Sequence, residues 1–276
     1  MKNIPALDSK VLDLVTEISK EPKVEAAMAF IKDQTEVAMQ EQIELCEIEA
    51  PTFHEEKRAA SVAERMKQYG LTDVHIDEIG NVIGIRKGTG SGPVLAIGAH
   101  MDSVFPAGTD VKVKKEGNIY RAPGIGDNCS GLRALLQVLR AMEKEDIRTV
   151  GDIWFVGTVG EEGNGDIRGS KHLCANNKLD GFVAIDSTDV GRVGSHRWRL
   201  AVDGAGGHSF ADFGKVPSAI HAVCRAGNII ADIKVPEDPK TTFTIGTIKG
   251  GTTVNTISAH CEVDVDIRSV SNEELL

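Results

Sequence analysis

Three short apolar runs, Val94–Ala99, Ile153–Val159 and Phe182–Ile185, constrain this chain more than any other feature. Each is bounded like a strand, and continuous apolar character is the pattern of a strand covered on both faces. A segment of helical period, Leu132 to Glu143, separates the first two. Helices alternating with such strands predict an α/β fold with a mostly parallel sheet. The runs also end alike. The first leads into His100-Met101-Asp102, the second into Glu161-Glu162 and the third into Asp186. In open α/β sheets ligands bind beyond the carboxyl ends of the strands, so one sheet edge is expected to collect an imidazole and several carboxylates.

Asp127 joins them from the loop Gly124-Ile125-Gly126-Asp127-Asn128-Cys129-Ser130-Gly131, immediately before the Leu132 helix. The glycines allow a tight turn, and a carboxylate beside a helix N-terminus is electrostatically favoured. Carboxylate with imidazole suits zinc, and less selectively manganese or cobalt. A carboxylate can also bridge two ions about 3.5–4 Å apart, as two-metal hydrolases require. Taken singly, Asp102, Asp127 and Asp186 read as surface charges or caps. Their coincidence at strand ends is what points to a site.

Residues 11–49 show helical spacing without glycine, with Pro22 opening a second helix. Ala50-Pro51-Thr52 breaks the pattern, and Glu55 to Tyr69 reads as a helix stopped by Gly70. A period of two around Gly80-Asn81 predicts a hairpin. Past Val193 the order becomes strand (Trp198–Val202), helix (Val216–Ile233), strand (Thr242–Ile248), strand (Cys261–Ile267) and a helix start at Ser271. That is a split βαβ unit without its last strand. The expected domains are therefore 1–193, metal-binding, and 194–276, an incomplete second domain.

Composition excludes several classes. With 41 acidic against 31 basic residues and no basic run, a nucleic-acid partner is not expected. No apolar stretch approaches the roughly 18 residues of a membrane span, and Met1 to Lys20 lacks a signal-peptide core. Five dispersed cysteines fit reduced, buried thiols in a cytoplasmic protein. Gly126 to Gly131 has phosphate-loop spacing, but Leu132-Arg133 stands where Lys and Ser/Thr are needed, which demotes a nucleotide-binding reading. Cys129 near a helix start is a minor nucleophile candidate with no histidine paired to it in the sequence.

Taken in order, Gly98-Ala99-His100-Met101-Asp102, Gly124–Gly131, Gly160-Glu161-Glu162-Gly163, Ala184-Ile185-Asp186 and Gly206-Gly207-His208-Ser209 resemble the dinuclear zinc exopeptidase and deacylase family, metallopeptidase family twenty. It includes tripeptide aminopeptidases, glutamate carboxypeptidases, aminoacylases and desuccinylases. The resemblance implies that His100 and Asp186 hold one zinc, Glu162 the other, and Asp127 bridges them, with cobalt or manganese as substitutes. It further implies Asp102 as the residue fixing the His100 tautomer, Glu161 as general base, and a cis peptide at Asp127-Asn128. The second domain resembles the family's lid and dimerisation domain. There His208 matches a histidine that reaches the partner subunit's site, and Asn255 and Arg268 match residues that grip a substrate carboxylate. The family's last metal-binding histidine falls beyond residue 276, so the chain reads as C-terminally incomplete. The expected function is hydrolysis of amide bonds in small peptides or N-acyl amino acids by a homodimer, most like a tripeptide aminopeptidase. Glutamate carboxypeptidase or deacylase activity is the alternative, and a catalytically dead ligand-binding relative lies behind both.

Overall fold

A computed structural model describes residues 8–186 and 193–275. The chain divides into two compact units, Met1–Thr188 and Asp189–Leu276. The boundary expected after residue 193 adjoins the undescribed segment 187–192.

The first unit opens with three helices, α1 (Ser9–Ser19), α2 (Pro22–Asp33) and α3 (Thr35–Cys46), and Pro22 begins the second of them. Then follow α4 (Glu56–Gln68) and the hairpin β1 (Asp73–Ile76) and β2 (Val82–Arg86). The strand β3 (Leu95–His100) precedes a small exposed hairpin, β4 (Lys114–Glu116) with β5 (Ile119–Arg121), which the sequence pattern did not announce. The remainder is α5 (Cys129–Lys144), β6 (Ile153–Thr158), α6 (Arg168–Asn176) and β7 (Gly181–Ala184).

Five strands form one sheet in the order β1-β2-β6-β3-β7. β3 runs parallel to β6 and β7, and β2 is antiparallel to both β1 and β6, so every strand but β2 points one way. Alternation sorts the side chains into two layers. Val82, Ala99, Ile153 and Phe155 pack against α3, α4 and α5, around Leu45, Val62, Met66, Leu132 and Leu139. Ile83, Ala96 and Val156 face the other way, against Leu173 of α6. The third apolar run departs from its expected burial. β7 has a single sheet neighbour among the described residues, and Val183 is 50 % exposed. A parallel edge strand carries the same apolar run as a central one, so the sequence alone does not tell them apart.

The second unit consists of β8 (Gly194–Asp203), β9 (Gly207–His208), α7 (Ala219–Ala231), β10 (Thr241–Gly250), β11 (Thr256–Ile257) and β12 (His260–Ser269). β12 lies between β8 and β10 and is antiparallel to both, as a split βαβ unit requires. Val263 and Val265 of β12 pack on Ala219 and Val223 of α7. The opposite face pairs charges across strands, Arg199 Nε with Asp264 Oδ1 at 2.7 Å and Arg197 Nε with Asp266 Oδ1 at 3.2 Å. The helix start expected at Ser271 is a single 3-10 turn, Glu273–Leu275. Three cysteines are buried as expected, but Cys174 and Cys224 are exposed.

Candidate metal centre

The three parallel strands β6, β3 and β7 are adjacent, so their carboxyl ends open on one edge of the sheet. His100 closes β3 opposite Thr158 of β6, and Met101 N–H extends the pairing by donating to Thr158 O at 2.7 Å. On the other side Ile185 N–H donates to Gly98 O at 2.7 Å, which carries Asp186 to the same edge. Asp127 arrives from the loop ahead of α5. Its neighbour Asn128 caps that helix, accepting from Gly131 N–H at 2.9 Å, and its amide donates to Ile185 O at 2.8 Å. Residue 131 must be glycine here, because a Cβ would lie 2.1 Å from Asn128 Oδ1 and 2.7 Å from Ile185 O. The Asp127-Asn128 peptide is cis.

His100, Asp127 and Glu162 each offer a donor atom, all within 4.8 Å of one another. His100 Nε2 lies 2.9 Å from Asp127 Oδ1 and 4.0 Å from Asp186 Oδ1. The far nitrogen, Nδ1, lies 3.1 Å from the main-chain oxygen of Asp102 and 3.4 Å from its Oδ1. Asp102 is fully buried, and its carboxylate accepts Glu161 N–H, Glu162 N–H and Thr52 Oγ1–H, each at 2.9 Å. One side chain thus ties the end of β3 to the turn that carries both glutamates.

Charge is unbalanced at this edge. Burial works to lower the His100 pKa, but hydrogen bonds to Asp102 and Asp127 override it and push it up to about 10. Burial, with Asp127 and Glu161 alongside, pushes Glu162 up to about 7. Burial and the nearby Asp186, Asp102 and Asp127 also raise Glu161, against the pull of His100. Crowded carboxylates around a single imidazole are what a divalent cation relieves, and the donor set of one imidazole with several carboxylates suits zinc. The residues present therefore fit a metal.

Several supports escaped sequence reasoning. Thr52 lies in a segment that reads only as a break between helices, and Glu55 reads only as the start of the helix that follows. Arg58 is 1 % exposed and donates to Met101 O at 2.7 Å and Ile48 O at 2.5 Å. Cys129 is fully buried, which removes the access a nucleophile needs.

In the second unit, β9 pairs with β11, placing His208 opposite Thr256, and Ser209 N–H donates to Asn255 O at 3.0 Å. His208 and Asn255 are thereby neighbours, and both are exposed. Arg268 is not brought to them. It pairs with Ser195 at the start of β8, whereas His260 pairs with Asp203 at its end. Eight strand residues at about 3.3 Å each put Arg268 roughly 26 Å from the His260 end. Its Nε donates to Asp266 Oδ2 at 2.7 Å.

Comparison with known proteins finds peptidases along most of the chain. A model of Peptidase family M28 matches residues 81–222, and a model of the Peptidase dimerisation domain, of the M20 type, matches residues 190–276. The uncharacterized protein YqjE of Bacillus subtilis is 28 % identical over 258 residues, covering 86 % of this chain and 67 % of YqjE. A putative [LysW]-lysine/[LysW]-ornithine hydrolase of Pyrococcus abyssi is 35 % identical over 120 residues, 44 % of this chain and 32 % of that protein. Among solved structures, a tripeptidase from Staphylococcus aureus superposes with a TM-score of 0.58 at 27 % identity, covering 86 % of this chain and 66 % of the tripeptidase. The chain thus spans about two thirds or less of these proteins.

Proposed function

Since the chain belongs to the M20 family of metallopeptidases, we propose that it hydrolyses amide bonds of small peptides or N-acyl amino acids, most like a tripeptide aminopeptidase. The observation that carries this reading is the convergence of His100, Asp127 and Glu162 within 4.8 Å, with Glu161 beside them on the same turn. His100 and Asp186 would hold one ion, Glu162 a second, and Asp127 would bridge them. Two zinc ions would lower the pKa of a water and polarise the scissile carbonyl.

The chain's own residues divide the rest of the work. Asp102 holds His100 with Nε2 toward Asp127 and Asp186, where it would meet a metal, and it anchors the amides of Glu161 and Glu162. Glu161 takes a proton from the attacking water and returns it to the leaving amine. Burial and carboxylate neighbours raise its pKa, which makes it a stronger acceptor for that proton.

The second unit would act as a lid and join a homodimer. Among the described residues β8 is an edge strand; its Trp198 is 57 % exposed and Ile233, lining the same groove, is 52 % exposed, an apolar margin suited to a partner. His208 would stabilise the oxyanion in the partner's site. Arg268 and Asn255 lie toward opposite ends of the three-stranded sheet, so one substrate carboxylate could meet both only if they came from different subunits. Arg268 would then exchange Asp266 for the substrate.

The likeness to the [LysW]-lysine/[LysW]-ornithine hydrolase favours, as a second reading, hydrolysis of a lysine or ornithine conjugate. Assay of the full-length protein on tripeptides, C-terminal glutamyl peptides, N-acyl amino acids and lysine or ornithine conjugates, beside elemental analysis of bound metal, separates the readings. Turnover of tripeptides with two zinc ions per chain is expected. A protein that holds no metal and cleaves none of these substrates would defeat the proposal.

A further inference from the structure

Three successive backbone amides of the turn after β6 point into buried carboxylates. Glu161 and Glu162 N–H donate to the two oxygens of Asp102, and Gly160 N–H donates to Glu55 Oε1 at 3.0 Å. Asp102 belongs to the metal centre through His100. Glu55 does not: it stands just ahead of α4, is 3 % exposed, and is not among the clustered metal donors.

A buried carboxylate is costly unless it is paired and hydrogen-bonded. Glu55 is paired with Arg168, whose Nη2 lies 3.4 and 3.3 Å from its two oxygens. Arg168 is itself held, with Nη1 donating to Ile79 O at 2.9 Å and its backbone N–H to Gly160 O at 3.1 Å. Its side chain lies flat against Gly160, where a Cβ would meet Nε at 2.5 Å. Gly160 has φ +59°, in the left-handed region. Glycine leaves its backbone free to rotate on either side of that value, and any rotation at Gly160 swings the next residue, Glu161. Asp102 grips the turn from the β3 side only. Glu55 grips it one residue earlier, at Gly160, whose torsions lead directly into Glu161.

We propose that Glu55, fixed by Arg168, is a positioning residue that sets the Gly160 torsions and so the placement of Glu161. The activity arm of the test rests on Glu161 being the general base. A misplacement of about 1 Å costs a reaction on the order of 100-fold. In the full-length, zinc-loaded protein, Glu55→Gln and Arg168→Met are each expected to lower kcat about 10- to 100-fold, leaving KM within about twofold and zinc content unchanged. Arg168→Lys recovers part of the loss. A second readout needs no turnover. In the metal-free protein, hydrogen exchange of the amides of residues 159–163 quickens in Glu55→Gln, while that of α5 does not change.

Unchanged kcat in both variants overturns the proposal. So does a fall in kcat that tracks lost zinc or lost global stability. If the parent protein cleaves no amide, the hydrolase reading fails by itself and exchange decides. Quickening confined to the turn then supports the positioning role, and unchanged or uniformly faster exchange refutes it.

Discussion

Replacing Asp102 by Asn keeps its size and removes its charge, so the change reports on the hydrogen bonds to the carboxylate and on its pairing with His100. Both carboxylate oxygens face backbone donors: Oδ1 receives Glu161 N–H and Oδ2 receives Glu162 N–H, with Thr52 Oγ1–H also on Oδ2. An amide has one oxygen. Whichever way Asn is turned, its NH2 confronts a backbone N–H that has lost its acceptor. The amide nitrogen fits better on the Oδ2 side, since the Thr52 hydroxyl can rotate to accept from it. Glu162 N–H is then orphaned. Losing one hydrogen bond to a charged group costs about 1.5–3 kcal/mol. The bond retained at Glu161 becomes neutral and loses about half its strength. Together these give a loss of about 3 kcal/mol, which for a unit of this size corresponds to a fall in Tm of about 6–12 °C.

Thermal unfolding of the metal-free protein followed by circular dichroism measures this directly. The Asp102 carboxyl is held below its ordinary value of 3.8: burial pushes it up, but His100 and the amides of Glu162 and Glu161 pull harder. A depressed folded pKa contributes stability above the unfolded value and loses it as pH falls through the folded one. The gap between parent and Asp102→Asn is therefore expected in full at pH 5–8 and closes below about pH 3.8. Zinc affinity should fall about 10- to 100-fold as well, since His100 loses its orienting partner. A variant whose Tm at pH 7 stays within about 2 °C of the parent would refute the view that Asp102 carries the Glu161-Glu162 turn.

Other expectations concern the base, the metal and the lid. Glu161→Gln should retain zinc and lower kcat by a factor on the order of 10²–10⁴, and comparable kcat in variant and parent would remove Glu161 from the base role. Zinc must displace the proton of His100, whose pKa stands at about 10 without metal, and below about pH 7 that of Glu162 too. Zinc affinity is therefore expected to fall as pH falls, and filling the whole two-ion site should release about one proton at pH 8 and about two at pH 6; calorimetry in buffers of different ionisation enthalpy counts them. Trp198→Asp, on the exposed margin of β8, should shift the full-length protein from dimer to monomer in light scattering, and an unchanged mass would move the interface elsewhere.

The parts of this molecule legible in its sequence are those where one residue type can do one job locally. A strand buried on both faces must be apolar, so β3 and β6 stood out, and their ends delivered His100, Asp102, Glu161 and Glu162 to one edge. Asp127 was legible because a helix start and its glycines surround it. What stayed hidden works across the fold by hydrogen bonds to backbone. Glu55 and Gly160 are 105 residues apart, and Arg58 reaches Met101 across 43. Such a carboxylate or guanidinium occupies a polar position on a helix or in a turn, which looks like any solvated charge until the backbone group it satisfies is known. The edge position of β7 was hidden for a related reason, since an apolar run does not state how many neighbours it has. The metal donors can be read because their chemistry is unusual at a strand end. The groups that aim them are common residue types, distinguished only by burial.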